Sequence, residues 1–151
     1  MNTSRIEENL ERVTHLEPNE LDGLVRSSLE EGFKFVRRLR DEHESGVNRF
    51  DQPGEALLLA RDAQTVIAVI GLNLDPEGQI GVMRLRRFYV LPERRGHGLG
   101  RTMLLEVIQL ARGTHAKSLE LHTDNPQAAL FYEGHGFLRL NSNDPTHRLE
   151  L

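Results

Sequence analysis

Apolar and polar residues follow two different periods along this chain, and each period predicts one type of element. Apolar side chains recur at spacings of three and four over residues 18–32 and again over 33–44, which predicts two consecutive helices. Residues 55–61 and 65–74 are short apolar runs around a polar connection, which predicts two strands. A third strand should end at Val90, and we expect these neighbouring strands to pair antiparallel.

The second half of the chain mixes the same two periods. A long apolar stripe ends at Gly113, where a glycine is well placed to terminate a helix, and Pro126 suits the first position of another helix. The remaining predictions are a weak edge strand over 4–16, a strand over 117–123, a helix over 126–134, and final strands over 137–140 and 146–151. The order αα-βββ-α-β-α-ββ indicates a mixed α/β (α+β) fold.

A glycine-rich turn separates the strand that ends at Val90 from the long helix. Gly96, Gly98 and Gly100 lack Cβ atoms and let backbone N–H groups approach a ligand closely. The first N–H groups of the following helix have no internal partner, and the helix dipole adds partial positive charge there. The arginines that add further positive charge are Arg94, Arg95 and Arg101. This combination is typical of a phosphate or pyrophosphate site.

Two common phosphate-binding motifs fit this turn less well. The P-loop requires a GxxxxGK spacing followed by Ser or Thr, whereas this chain has Gly100-Arg101-Thr102. The dinucleotide fingerprint GxGxxG would place its third glycine at position 101, and its turn normally follows the first strand of a domain. Glu120, about twenty residues past the turn, nevertheless suits a ribose-binding acid and keeps this alternative open.

Composition excludes several broad classes of function. The chain has 151 residues, which suits one domain over residues 1–151 with a substantial core. A formal net charge of −4 argues against general nucleic-acid binding. Without cysteine there is no thiol nucleophile or cysteine-based metal site, and the 7 histidines show no metal-ligand spacing. Because neither a membrane-spanning run nor a signal-like N-terminus is evident, a cytoplasmic location is expected.

Two motifs, taken in order, resemble one known family. The stretch from Val90 to Gly100 reads VLPERRGHGLG and is similar to the pyrophosphate loop of the GNAT N-acetyltransferases, whose core is Gln/Arg-x-x-Gly-x-Gly/Ala. The stretch from Asn125 to Phe137 reads NPQAALFYEGHGF and resembles the family's second block at the spacing the family shows. The resemblance covers nearly the whole chain. It implies the GNAT fold, a central, mostly antiparallel, twisted sheet of about six to seven strands flanked by about four helices.

The resemblance also implies a binding site for acetyl-CoA. The pantetheine arm would lie in a gap between the strand ending at Val90 and the strand ending at Thr123, held by the peptide groups of Phe88 and Val90. The amide of Asn125 would contact the same arm, although Asn before a proline is also a common helix cap. The backbone N–H groups expected to bind the pyrophosphate are those of Arg95, Gly96, His97, Gly98, Leu99, Gly100 and Arg101.

Direct acetyl transfer in this family implies a proton donor and an oxyanion donor. Tyr132 matches the family tyrosine that points at the cofactor sulfur and protonates the departing thiolate. The alternative for Tyr132 is an aromatic core residue beside Phe131 and Phe137. The N–H of Val90 is implied as the donor to the oxyanion. No covalent enzyme intermediate is implied, because holding the two substrates together is sufficient.

The general base is where the sequence departs from the family pattern. Many members carry a glutamate on the strand before the pyrophosphate loop, but residues 82–90 read VMRLRRFYV and contain no acid. His122 on the neighbouring strand, with Glu120 beside it, is the predicted replacement because imidazole titrates near neutral pH. A structural or solvated histidine at position 122 is the alternative. His97 is expected to face solvent or phosphate.

The predicted function is transfer of the acetyl group of acetyl-CoA to a primary amine, a small molecule being preferred over a protein N-terminus or lysine. A non-catalytic acyl-CoA-binding sensor is the alternative. Acidic residues around the expected acceptor site would favour a cationic amine, but arginines in the same segments are equally consistent with an ordinary solvated surface. These acidic residues are Glu30, Glu31, Asp41, Glu42, Glu44, Asp51 and Asp144. A homodimer is plausible, since dimers are frequent in this superfamily and the sheet has open edges.

Overall fold

The computed structural model describes residues 10–151, and within them seven strands form one sheet that is covered by four α-helices. The strands are β1 (Leu10–Val13), β2 (Ala56–Asp62), β3 (Thr65–Leu74), β4 (Val82–Val90), β5 (Ser118–Leu121), β6 (Leu138–Arg139) and β7 (His147–Glu150). The helices are α1 (Asp22–Glu30), α2 (Phe35–Ser45), α3 (Leu99–Gly113) and α4 (Pro126–Glu133), and a 3₁₀ turn covers Pro92–Arg94. The predicted mixed α/β class and element order are confirmed.

The strand order is β1-β2-β3-β4-β5-β7-β6. Every neighbouring pair is antiparallel except β4 and β5, which run parallel. The predicted edge strand is confirmed for Leu10–Val13, which pairs with β2. Its expected extension over residues 4–9 lies outside the described part of the chain. None of the helices between residues 10 and 151 has the length and apolar character that a bilayer crossing requires.

The helices pack on both faces of the sheet and give each face its own hydrophobic core. On one face, α3 and α4 cover the sheet, and the predicted stripe of α3 is buried from Met103 to Ala111. On the other face, α1 and α2 bury Leu24, Val36 and Leu39. Strands β2 and β3 are buried on both sides, which explains why they read as continuous apolar runs instead of alternating ones.

Strand β4 contains a bulge that shapes the centre of the sheet. Val69 pairs with Tyr89, but Gly71 pairs with Arg86, so β4 has one more residue than β3 between these two pairs. Arg87 lies within the bulge and has a φ of 60°. A bulge bends its strand and increases the local twist. The pairing of β4 with β5 has already ended at Arg84, before the bulge.

Candidate active site

The edge of β4 beside β5 has no strand partner beyond Arg84, although the Val90 carbonyl accepts a hydrogen bond from Arg95 Nε at 2.9 Å. The two strands pair only over Val82–Arg84 and Ser118–Glu120, so the rest of β4 has a strand partner on the β3 side alone. Leu91 N–H donates to the Ile67 carbonyl of β3 at 3.0 Å. Because successive peptide groups alternate in direction along a strand, the polar groups of Val90 point away from β3. The N–H of Val90 therefore faces the gap between β4 and β5.

The glycine-rich turn leaves a run of backbone amides without acceptors. The N–H groups of residues 96–101 donate no hydrogen bond within the part of the chain that the structure describes. Gly96 and Gly98 have φ values of 82° and 89°, a conformation that favours glycine. The first helical N–H bond of α3 runs from Thr102 to the Gly98 carbonyl at 3.0 Å, and no side chain caps the helix. These amides stand at the positive end of a 15-residue helix and can bind an anion.

Arg95 ties the turn to the end of α1. Its guanidinium donates two hydrogen bonds to Glu31, at 3.0 and 2.8 Å, and this contact is the main cause of a lowered pKa for Glu31. Tyr89 donates to the same carboxylate at 2.6 Å, and burial followed by this bond raises the pKa of Tyr89 to about 12. The Arg95 amide is also occupied, since it donates to the Pro92 carbonyl at 3.3 Å. The free amides therefore begin at Gly96, one residue later than the sequence predicts.

The arginines predicted to flank the turn with positive charge differ from one another. Arg94 pairs with Asp62 at 2.6 Å, and Arg95 is paired with Glu31. Arg101 is exposed and has no ion pair within residues 10–151. Carboxylates far away in the sequence therefore compensate Arg94 and Arg95 but not Arg101.

Gly100 lies where the turn, β4 and α4 meet. A Cβ atom at Gly100 would lie 3.7 Å from the ring of Phe88, 3.8 Å from the ring of Phe131 and 3.9 Å from the side chain of Val90. The ring centroids of Phe88 and Tyr132 are 6.5 Å apart. The fold thus gathers the predicted cofactor residues Phe88, Val90 and Gly100 and the predicted catalytic residue Tyr132 around the open edge of β4.

Tyr132 is buried but keeps an uncommitted hydroxyl. Its ring centroid lies 5.5 Å from that of Phe131 and 5.6 Å from that of Phe137. Tyr132 therefore also belongs to the aromatic core, which was the alternative role predicted for it. Burial raises the pKa of Tyr132 well above its usual value. The hydroxyl makes no hydrogen bond within the described residues, and the residue as a whole is 7% exposed. A neutral phenol of this kind can donate a proton at pH 7.

Asn125 acts as the N-cap of α4. Its Oδ1 accepts hydrogen bonds from the backbone N–H groups of Gln127 and Ala128, at 2.9 and 3.3 Å. The helix-cap alternative is therefore confirmed. The Nδ2 group donates no hydrogen bond within the described residues. Oδ1 can therefore cap the helix while Nδ2 contacts the pantetheine arm, as the resemblance implies.

His122 follows β5 on the face of the sheet covered by α1 and α2. Leu121 is buried in the core beneath α3, so alternation turns His122 to the opposite face. The imidazole is exposed, and its Nδ1 lies 2.8 Å from the Asn143 carbonyl oxygen. Because a carbonyl oxygen can only accept, Nδ1 carries the proton and the neutral ring keeps its lone pair on Nε2. Glu120, by contrast, is buried and paired with Arg148 at 2.6 Å.

Most acids predicted to surround the acceptor are compensated by arginines. The pairs are Glu31 with Arg95, Asp41 with Arg40, Glu42 with Arg87, and Asp144 with Arg84. The acidic excess that would favour a cationic amine is therefore largely neutralised. The segment VMRLRRFYV, which lacks the glutamate of many family members, contains Arg84, Arg86 and Arg87 instead, and no role for them was predicted. No cluster of three potential metal-ligating side chains occurs in the described residues.

Comparison with known proteins identifies the family. The model of the acetyltransferase (GNAT) family matches residues 23–137. An uncharacterized N-acetyltransferase of Schizosaccharomyces pombe (strain 972) is 30% identical over 128 residues, which cover 80% of this chain and 77% of that protein. A candidate acetyltransferase from Exiguobacterium sp. 255-15 is 32% identical, with a TM-score of 0.84 over 93% of this chain and 91% of that chain.

A more distant structure has the same fold. The PaiA N-acetyltransferase from Thermoplasma acidophilum, solved in complex with coenzyme A, has a TM-score of 0.65 at 18% identity and covers 94% of this chain and 99% of that chain. One assignment follows from three findings: the divergent central strands of the sheet, the glycine-rich turn before α3 and the family match over residues 23–137. The chain belongs to the GNAT family of acetyltransferases and is an acyltransferase.

Proposed function

We propose that this protein transfers the acetyl group of acetyl-CoA to a primary amine of a small molecule. The observation that carries the proposal is the meeting of three features at one place: the open edge of β4, the free amides before α3 and the uncommitted hydroxyl of Tyr132. The coenzyme A in the Thermoplasma acidophilum structure of the same fold supports a coenzyme A thioester as the donor.

The cofactor would bind mainly through backbone groups. The amides of Gly96, His97, Gly98, Leu99, Gly100 and Arg101 would donate to the pyrophosphate, and the exposed Arg101 side chain would add charge. The pantetheine arm would extend along the open edge of β4 at Phe88 and Val90. The free Nδ2 of Asn125 is suited to donate to a carbonyl group of that arm.

Transfer requires two proton movements around the thioester. The amine nitrogen forms a bond to the acetyl carbon as the carbon–sulfur bond breaks. The N–H of Val90 would stabilise negative charge on the thioester oxygen. The Tyr132 hydroxyl would donate its proton to the departing sulfur. Because its pKa is raised, the phenol stays neutral throughout the physiological range and so has a proton to give.

His122 would accept the proton that the amine loses. The bond between its Nδ1–H and the Asn143 carbonyl orients the ring and leaves Nε2 as the basic nitrogen. The ring lies on the face of the sheet opposite Leu121 and the α3 core, so an acceptor on that face would approach the gap from the side of α1 and α2. This arrangement supplies a base without the strand glutamate that many relatives carry.

A thiol-release assay tests the proposal. Purified protein and acetyl-CoA are combined with amino acids, polyamines, aminoglycosides and N-terminal peptides, and free thiol is measured against a no-acceptor control. Release with a small-molecule class, and acetylated product by mass spectrometry, is the expected result. Tight acetyl-CoA binding without release would support the sensor alternative instead, and release with peptides alone would contradict the small-molecule acceptor.

A further inference from the structure

The side chain of Arg95 contacts the last residue of β4 on the side of the gap. Its Nε–H donates to the Val90 carbonyl at 2.9 Å. The N–H and the carbonyl of one strand residue point to the same side of the strand, and those of Val90 point away from β3. Arg95 therefore supplies a hydrogen bond on the side of β4 that has no strand partner at this point.

The Arg95 guanidinium is itself held in place by several contacts. Nη1 and Nη2 donate to the two carboxylate oxygens of Glu31, at 3.0 and 2.8 Å. The guanidinium carbon also lies 5.3 Å from the ring centroid of Tyr89, which is a cation–π distance. A planar guanidinium in a two-point contact with a carboxylate has little freedom to rotate. Nε is therefore kept beside the Val90 carbonyl.

These contacts direct Arg95 away from a phosphate-binding role. Its charge is paired with Glu31, and its amide donates to the Pro92 carbonyl. Arg101, by contrast, is exposed and has no ion pair within residues 10–151. Arg101 can therefore offer its charge to a pyrophosphate, whereas the Arg95 side chain lies at the end of β4, where the proposed function places the acetyl group.

The hydrogen bond from Arg95 restrains the peptide group that follows the proposed oxyanion donor. The Val90 carbonyl and the Leu91 N–H belong to the same peptide group. Arg95 donates to the carbonyl, and the Leu91 N–H donates to the Ile67 carbonyl at 3.0 Å, so the peptide is held on both sides of the strand. Because β5 pairs with β4 no further than Arg84, only β3 would hold this end of β4 if Arg95 were absent.

We propose that Arg95 is a positioning residue for acetyl transfer. By holding the peptide group after Val90, it keeps the Val90 N–H directed at the thioester oxygen, where negative charge develops as the amine attacks. A donor of this kind is effective because it is oriented before the reaction begins, so its misorientation lowers the rate more than the affinity. The inference rests on the proposed acetyl transfer, because it assigns a residue to the same reaction.

Two substitutions of Arg95 separate its hydrogen bond from its charge. In glutamine the amide nitrogen is attached to Cδ, as Nε is in arginine, so Arg95→Gln can donate to the Val90 carbonyl without the pair of bonds to Glu31. Arg95→Met is unbranched and has no donor. We expect kcat to fall by about tenfold in Arg95→Met and by less than about threefold in Arg95→Gln, with similar KM values for acetyl-CoA. The side chain is 44% exposed, so both variants should fold, which circular dichroism checks.

Two other arginines provide the controls. Arg61 pairs with Glu11 and Glu20 on β2, which β3 separates from β4, so Arg61→Gln should leave kcat and KM unchanged. Arg101→Gln should raise the KM for acetyl-CoA and leave kcat near the wild-type value. Equal kcat values in Arg95→Met and Arg95→Gln, or a rise in KM in Arg95→Met that matches Arg101→Gln, would overturn the inference.

An infrared measurement tests the same step without an acceptor. Difference spectra are recorded for acetyl-CoA, isotope-labelled at the thioester carbonyl, bound to the wild type and to each variant. A hydrogen bond to a carbonyl oxygen lowers its stretching frequency, so the band should lie at higher frequency in Arg95→Met than in the wild type. Arg95→Gln, Arg61→Gln and Arg101→Gln should give the wild-type band.

The outcomes separate this inference from the proposed function. A band that moves in Arg95→Met alone supports the positioning of Val90 even if no amine is acetylated. The same band in Arg95→Met and the wild type overturns the inference and leaves acetyl transfer intact. A wild-type protein that does not bind acetyl-CoA rejects both.

Discussion

The two sides of β4 provide binding groups of different kinds. On the side of α3 and α4, the groups are backbone amides at residues 96–101 and at Val90, held in place by a turn and a helix. On the side of α1 and α2, they are side chains such as His122, whose ring is held by the Asn143 carbonyl of another segment. The first side is built from one continuous segment, whereas the second is assembled from several.

This difference has a physical consequence for specificity. Backbone amides are present in every sequence, so a turn that exposes them can bind the same phosphate group regardless of most side chains around it. Side chains that are positioned by ion pairs can be exchanged without altering the sheet. Under the proposed function, the side of α3 and α4 would bind the cofactor, and the side of α1 and α2 would select the acceptor.

The largest expected effect is on the backbone side. Gly98 has a φ of 89°, and a Cβ there would meet no protein atom, so valine would place its side chain in the space in front of the free amides. We expect Gly98→Val to weaken acetyl-CoA binding by at least about 100-fold, or ~3 kcal/mol. Titration calorimetry measures the change.

A matched glycine separates ligand loss from backbone strain. Gly78 has a φ of 76°, also with no atom within 4 Å of a built Cβ, and it lies in the loop before β4. Gly78→Val should carry a comparable strain of about 1–3 kcal/mol and bind acetyl-CoA normally. If both variants lose affinity equally, the turn is not the anion site.

The next largest effect should come from Tyr132, which lies beside Phe88 near the gap between β4 and β5. Tyr132→Phe removes the proton donor and should lower kcat by about 10- to 100-fold with little change in the KM for acetyl-CoA. Thermal stability should not fall, because the hydroxyl has no partner within residues 10–151.

Tyr89→Phe is the control for this variant. The Tyr89 hydroxyl contacts Ser27 at 2.8 Å and Glu31 at 2.6 Å, so its removal should lower stability while kcat stays near the wild-type value. A Tyr132→Phe enzyme with wild-type kcat would show that sulfur is protonated by another group or by water.

A smaller effect is expected on the side-chain side, at His122. His122→Gln keeps a donor for the Asn143 carbonyl but removes the base, and should lower kcat/KM by about tenfold at pH 7. The rise in rate between about pH 5 and 8 should become shallower. His115→Gln, at an exposed position, serves as the control. A pH–rate profile that is identical in wild type and His122→Gln would contradict the assignment.

The smallest effect concerns the contact that joins the two sides, between Glu31 and Arg95. This contact lowers the folded-state pKa of Glu31, so it stabilises the protein above the unfolded value of about 4.3. The benefit is lost as pH falls through the lower folded-state pKa. Glu31→Gln should therefore reduce the free energy of unfolding by less than ~1 kcal/mol at pH 7 and by a smaller amount at pH 3.

Urea unfolding at both pH values measures this difference. Glu30→Gln, at an exposed neighbouring position, should match the wild type throughout. A stability difference for Glu31→Gln that is independent of pH would show that the carboxylate charge is not involved.

Most elements were predictable because their patterns are local. The apolar stripe of α3 and the continuous runs of β2 and β3 follow from burial on one face or on both. The strand expected over 117–123 is shorter in the structure, where it covers Ser118–Leu121. Its pairing with β4 stops at Arg84 and Glu120, and no local pattern in 117–123 reports where the neighbouring strand leaves it.

The sequence by itself determines the cofactor side of this protein, from the glycine-rich turn to the capped helix that carries Tyr132. Glycine conformations, helix starts and caps depend on residues close together in the chain. Only the tertiary structure decided the charge of the acceptor side. Arg95 meets Glu31 across 64 positions, and Arg87 meets Glu42 across 45. Electrostatic compensation depends on distances in space, which the chain sets only when it folds.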